Sequence, residues 1–86
     1  MSTWLLYILR CADDTLYTGI TTDLRGRLAK HNSGKGAKYT RGRGPVEVVW
    51  HQRCASEGDA KRWEMEIKRL SKKQKEELVK AGEGGK

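Results

Sequence analysis

The sequence predicts an α+β domain, a small three-stranded, mainly antiparallel sheet flanked by helices in the order β-β-α-β-α-α. Three observations lead there. Two β-prone runs, Trp4–Arg10 and Leu16–Thr21, flank the turn-forming cluster Cys11-Ala12-Asp13-Asp14. A third run, Val46–Trp50, follows Pro45. Two capping-box patterns, Ser56-Glu57-Gly58-Asp59 and Ser71-Lys72-Lys73-Gln74, each open a helix.

The first two runs read as a hairpin. A short loop centred on Ala12 sets Tyr7 directly opposite Tyr17, and a one-residue slip would send the two rings to opposite faces. Gly19 inside the second strand marks a bulge or a close backbone approach. Thr22 is the expected cap of the next helix, with Asp23 favourable in its first turn. Leu24, Arg27, Leu28 and His31 fall within an arc of roughly 100° on that helix, which turns a guanidinium and an imidazole inward beside two leucines. Asn32-Ser33-Gly34 ends it. Residues 34–44 form a glycine-rich basic loop. In the third strand Val46, Val48 and Trp50 share a face. The next helix covers residues 57–70 with the stripe Ala60, Trp63, Ile67 and Leu70, and the last runs to Val79. Residues 1–80 thus form one domain, and the Gly-rich tail 81–86 is expected to be disordered.

Composition narrows the function. With 36% apolar residues, three Trp and no Phe, the core must be small and Trp-centred. The formal charge of +7 favours encounter with polyanions, nucleic acid first. No basic amphipathic helix offers the wide apolar face of a membrane-surface binder. Cys11 and Cys54 lack metal-ligand spacing and read as reduced thiols. No apolar run approaches the roughly 18 residues of a membrane span. The run Trp4–Leu9 is too short for a signal peptide and has no basic stretch before it, so a cytoplasmic protein is expected.

The chemistry-bearing residues come early: Tyr7, Tyr17, then Arg27 and His31 one helical turn apart. A phenol can relay a proton and a guanidinium can bind phosphate oxygens. In a chain this basic, the combination points to phosphodiester chemistry. Taken singly, each has a plainer reading. Tyr7 and Tyr17 suit half-buried sheet positions, Arg27 a cation snorkelling over leucines, and His31 a helix C-terminus favoured by the dipole.

Taken in order, these residues resemble the GIY-YIG nuclease superfamily (URI domains), in particular its small stand-alone bacterial members. The first motif stands as Leu5-Leu6-Tyr7 and the second as Tyr17-Thr18-Gly19, with Arg27 ten residues after Tyr17. His31 matches a histidine found in part of the family. The segment His31-Asn32-Ser33-Gly34-Lys35-Gly36-Ala37-Lys38-Tyr39-Thr40-Arg41 looks like the characteristic stretch of the stand-alone subgroup. Ala60-Lys61-Arg62-Trp63-Glu64-Met65-Glu66-Ile67-Lys68 is similar to the helix that carries the family's metal-binding glutamate. The similarity spans residues 3–79.

The resemblance implies a nuclease that hydrolyses DNA phosphodiesters with one divalent cation, Mg²⁺ or Mn²⁺. Tyr17 is then the general base or proton relay, supported by Tyr7. Arg27 stabilises the phosphoryl charge, His31 assists proton transfer and Glu64 holds the metal. A phenol is only about 0.1% ionised at pH 7, so Tyr17 needs positive charge nearby. Periodicity leaves Glu64 and Glu66 equivalent, each about 80° from the stripe centre on opposite flanks; only the resemblance selects Glu64. Two departures stand out. The motifs read Leu-Leu-Tyr and Tyr-Thr-Gly, and the late asparagine of many members has no counterpart, Asn32 being the only Asn.

Lys35, Lys38, Tyr39, Arg41 and Arg43 of the basic loop, with Lys68, form the expected nucleic-acid contacts, DNA first and RNA second. Glycines admit main-chain N–H groups to phosphates while the cations release counterions. The plainer reading is a solvated loop. The expected function is thus a metal-dependent DNA endonuclease, structure- or damage-directed with little sequence specificity, as in DNA repair. The alternatives are a nucleic-acid-binding module without useful turnover, or a catalytic subunit whose protein partner supplies target recognition, with Trp63 or Met65 as docking surface.

Overall fold

In the computed structural model the described residues are 3–35, 40 and 42–84. Strand β1 (Trp4–Arg10) runs down the middle of the sheet, between β2 (Leu16–Thr21) and β3 (Glu47–Cys54), and both pairings are antiparallel. Its apolar run is what a strand covered on both faces requires. Side chains alternate across the pleat, so Leu6 and Ile8 feed one core while Tyr7 and Leu9 feed the other. Helix α1 (Leu24–Asn32) brings Leu24 and Leu28 to the Tyr7 side. Helices α2 (Glu57–Lys68) and α3 (Lys72–Gly84) bring Ile67, Leu78 and Val79 to the Leu6 side. The element order is the one predicted.

Local details differ where sequence signals compete. Asp23, not Thr22, caps α1, its carboxylate accepting from the Gly26 N–H at 3.0 Å, while the Thr21 hydroxyl accepts from the Asp23 N–H. The hairpin register sets Tyr7 opposite Gly19 and Leu9 opposite Tyr17. This is a two-residue shift from the expected pairing, so both tyrosines keep the same face. Gly19 makes no bulge; the irregularity lies between β1 and β3, where Ile8 pairs with Trp50 but Leu9 with Val48. The extra residue, Val49, turns Trp50 into the opposite core from Val46 and Val48, against the expected shared face. Strand β3 continues through the exposed His51-Gln52-Arg53, whose polarity hid it in the sequence.

The core is aliphatic and centred on β1, not on tryptophan; Trp63 is 47% exposed. Both helix starts are capped, the second by a full capping box and the first with its return bond displaced to Ala55, one residue before the cap. Ser56 accepts from the Asp59 N–H and Asp59 in turn from the Ala55 N–H, while Ser71 and Gln74 exchange bonds reciprocally. Helix α3 passes its expected end at Val79 and reaches Gly84, inside the segment expected to be disordered. Its extension lies against Trp50, so close at Gly82 that a Cβ there would meet the indole Cδ1 at 2.8 Å. At the far end of β1, the Arg10 guanidinium clasps both Glu76 oxygens, at 2.8 and 2.7 Å, and also Asp14, tying the hairpin turn to α3.

Asn32, which lies on the wrong segment to be the family's late asparagine, has a structural task. Its side-chain oxygen accepts from the Val46 N–H at 2.6 Å and its amide donates to the Val46 carbonyl at 3.2 Å, joining the end of α1 to the start of β3. Val46 is buried, so losing this partner orphans two backbone groups. Asn32→Ala is expected to destabilise the fold by about 2 kcal/mol. In thermal unfolding monitored by circular dichroism, that corresponds to a Tm lowered by roughly 8–16 °C. A change under about 2 °C would show the bridge to be dispensable.

Candidate active site

The site begins with a space. Across the β1–β2 pair the Tyr7 ring lies over Gly19, where a Cβ would stand 2.5 Å from the phenol oxygen, 2.7 Å from Cζ and 3.1 Å from Cε2 of Tyr17. Glycine is needed here because any side chain would occupy the phenol's place. Tyr7 is 1% exposed, whereas Tyr17, on the edge strand, is half-buried.

The last turn of α1 delivers His31 to the same spot, with 2% exposure. Its Nε2 lies 3.2 Å from the Tyr7 hydroxyl and its Nδ1 2.8 Å from the hydroxyl of buried Thr40. The three rings form a triangle with centroid separations of 6.4 Å (Tyr7–Tyr17), 6.3 Å (Tyr7–His31) and 5.3 Å (Tyr17–His31). Burial, aided by the Arg27 charge, pushes the His31 pKa below its ordinary 6.5, so the ring is neutral at pH 7. A neutral ring donates from one nitrogen and accepts at the other, and the two hydroxyls match either tautomer. This overturns the dipole reading of His31, since a buried neutral imidazole gives the helix end no charge. Burial also drives the Tyr7 pKa far above the usual phenol value. Tyr17 and Glu64 push the same way, and Arg27 opposes them. Tyr7 is therefore a neutral hydroxyl throughout the physiological range.

Charged groups stand around this neutral interior. Arg27 is exposed, not turned inward as the wheel suggested; its long stem leaves the guanidinium in water. Among the described residues its guanidinium has no hydrogen bond or ion pair, yet its charge reaches both Tyr7 and His31. Glu64 sits on α2 with its side chain only 20% exposed, close enough for its charge to act on Tyr7. Lys68, one turn on, lies 3.3 Å from the Glu64 carboxylate and 6.0 Å from the centre of the Tyr17 ring. Glu66 takes the other flank, beside a cleft of about 280 Å³ bounded by Leu6, Trp50 and Trp63, and pairs with Arg69. Helix phase thus separates two glutamates that periodicity left equivalent.

The basic loop is only partly in view. Lys38, Tyr39 and Arg41 lie outside the described residues, and Lys35 is exposed just past α1. The Arg43 guanidinium is held by Asp13 at 2.7 Å, against the β1–β2 turn. Sequence reasoning missed Thr40, a hydroxyl inside a run of glycines and cations where no periodicity marks a buried position.

Among the described residues no group of three or more His, Cys, Asp or Glu side chains gathers. The carboxylate nearest the rings that could hold a cation is that of Glu64, a hard oxygen ligand. That fits a cation of the Mg²⁺ type, which keeps several waters and takes one or two carboxylates plus substrate phosphate.

Residues 3–77 match the GIY-YIG catalytic domain. The chain belongs to the GIY-YIG family. This is a nuclease family that generally uses a divalent metal, so nucleic acid is the substrate class. Among relatives, the UPF0213 protein BH0048 of Halalkalibacterium halodurans is 55% identical over 74 residues, covering 86% of this chain and 79% of that protein. The UPF0213 protein of Cronobacter sakazakii is 52% identical over 83 residues, covering 96% of this chain and 86% of that one. The solution NMR structure of BH0048 superposes with a TM-score of 0.59 at 52% identity, over 94% of this chain and 85% of that one. The solution NMR structure of a protein from E. faecalis gives a TM-score of 0.65 at 37% identity, over 94% and 86%. The matched span includes two corners of the ring triangle, Tyr7 and Tyr17, and the Gly19 that admits the Tyr7 phenol. No described helix is long and apolar enough to cross a membrane.

The lowered His31 pKa links folding to pH. Below pH 6.5 the unfolded chain binds a proton at this histidine before the native state does, so native stability falls with pH there. The Tm is expected to drop between pH 7 and 5, and to drop less in His31→Gln. Equal losses in the two proteins would clear His31 of that role.

Proposed function

We propose that this GIY-YIG protein is a metal-dependent endonuclease that hydrolyses DNA phosphodiester bonds, selecting DNA structure or damage more than sequence. The observation that carries the reading is the convergence of Tyr7, Tyr17 and His31 under the reach of Arg27 and Glu64. A structural sheet needs no such set, and a simple nucleic-acid binder needs no buried phenol–imidazole pair.

The roles follow from burial and charge. Tyr17 is the phenol nearer solvent and acts as base or relay on the attacking water. Tyr7, held neutral, supports it: its hydrogen bond to neutral His31 fixes the phenol beside the Tyr17 ring, and His31 assists through that bond. Arg27, whose guanidinium has no hydrogen bond or ion pair among the described residues, meets the phosphoryl oxygens. It stabilises the charge that builds as the water oxygen bonds to phosphorus and the ester oxygen departs. Glu64 is the residue that would hold Mg²⁺ or Mn²⁺, which when bound supplies Lewis-acid polarisation of the phosphoryl group. The net charge of +7 supports backbone-directed binding, which follows shape and weakens with salt.

Purified protein with Mg²⁺ or Mn²⁺ is expected to cut at least one of a panel of single-stranded, duplex, flap and branched DNAs. Tyr17→Phe and Glu64→Ala should abolish the cut. Binding without cleavage across the panel would favour a binding module, and cleavage appearing only with a co-purified subunit would favour the partner-dependent reading. Arg27→Ala is expected to lower turnover about 100-fold or more with the fold intact, as for loss of a comparable electrostatic contact. Near-wild-type turnover would remove Arg27 from the mechanism.

The pH profile is a separate check. A phenolic base ties turnover to its ionised fraction, so the rate should climb from pH 6 to 9. A flat profile across that range would exclude Tyr17 as the base.

A further inference from the structure

Four ion pairs along α2 and its C-cap share the same one-turn logic but not the same surroundings; in one of them, Arg62–Asp59, the carboxylate is also shielded, at 22% exposure, but it accepts from the Ala55 N–H as part of the helix's N-terminal cap. Lys61–Glu57 and Arg69–Glu66 join partners that are both at least half exposed. Such pairs contribute little. In Lys68–Glu64 the lysine side chain is 51% exposed while the carboxylate is only 20% exposed. The ammonium also stands 6.0 Å from the centre of the Tyr17 ring. It therefore lies at the junction of the candidate base and the candidate metal-holding carboxylate, and among the described residues it is the cation paired with Glu64.

We infer that Lys68 is the resident counter-ion of Glu64 in the metal-free protein and exchanges partners when cation and nucleic acid bind. The inference rests on the reading of Glu64 as the metal-holding residue. A divalent cation arriving at Glu64 meets an ammonium already paired with it, and the like charges oppose one another. A phosphate arriving beside Tyr17 offers that ammonium a second anion, which draws it from Glu64. Each binding event thus removes an obstacle to the other, and by linkage the assistance is reciprocal. Lys68 is on this account a positioning residue: it holds the cation's place and ties metal entry to the presence of a phosphate.

The test is Mn²⁺ binding, followed by the loss of the free-ion electron paramagnetic resonance signal. It is carried out in the Tyr17→Phe background so that DNA stays uncut. Without DNA, Lys68→Met, which keeps the aliphatic stem over the ring, is expected to bind Mn²⁺ about fivefold or more tightly than the Lys68 protein. Lys68→Arg, which keeps the charge, should retain the weaker affinity. A single-stranded oligonucleotide should tighten Mn²⁺ binding when Lys68 is present and have a much smaller effect in Lys68→Met. Unchanged or weaker Mn²⁺ affinity in Lys68→Met, or equal tightening by DNA in both proteins, overturns the exchange. If Glu64→Gln leaves Mn²⁺ binding untouched, the assignment of Glu64 itself fails and the exchange falls with it. If Glu64→Gln abolishes binding but Lys68→Met changes nothing, only the exchange is lost.

Discussion

The contact between the Tyr7 ring and the bare backbone of Gly19 is the constraint on which the site depends. Antiparallel pairing sets the two residues opposite each other, and the missing side chain at position 19 becomes the volume that the phenol fills. From there the hydroxyl reaches His31, and the ring lies beside Tyr17. Had the register differed by two, Tyr7 would face Tyr17 or Thr21 instead, and a phenol could not lie flat across either. The motif tyrosines and the motif glycine are thus one steric unit. The neighbouring positions, occupied here by Leu5, Leu6 and Thr18, turn elsewhere or pack in the sheet.

A second constraint divides the site into a neutral interior and a charged rim. Charge in the interior would be costly, and the two titratable groups there respond in opposite directions to the same cause. Burial raises the phenol of Tyr7 and lowers the imidazole of His31, so both are uncharged at neutral pH. Their polar atoms are matched to each other and to Thr40. The formal charges of Arg27, Glu64 and Lys68 stay where water or an ionic partner can meet them. An anionic substrate meets the cations first and the phenols behind them.

Much of this could be read from the sequence, and the misses have physical causes. The element order follows from apolar runs and capping boxes, because those signals are local. That both tyrosines share a face also holds, since a two-residue register error preserves the pleat. Trp50 was misplaced because a bulge resets the alternation and leaves no mark in composition. Arg27 and His31 share a helix arc, yet one ends in solvent and the other in the core. Periodicity describes Cβ directions, not where a long flexible stem ends. Thr40 escaped notice because its burial is set by tertiary closure over His31. Periodicity alone leaves Glu64 and Glu66 equivalent because the phase of α2 against the sheet is a packing outcome, and only the resemblance singles out Glu64.

That packing explains why the site lies at a sheet edge. Strand β2 is an edge strand, and α2 runs along it. Ile67 points from α2 into the core on the Leu6 side, while the next residue, Lys68, lies over Tyr17, which belongs to the opposite face. Two adjacent residues of one helix can serve both faces only where the sheet ends and the helix rides its border. At mid-sheet, on central β1, the Tyr7 phenol is 1% exposed and closed to a polymer. At the border, α1 supplies Arg27 and His31 from one side and α2 supplies Glu64 and Lys68 from the other. Of the three rings, Tyr17, half-buried on the edge strand, is the one within reach of a nucleic acid strand far larger than any pocket a small domain could enclose.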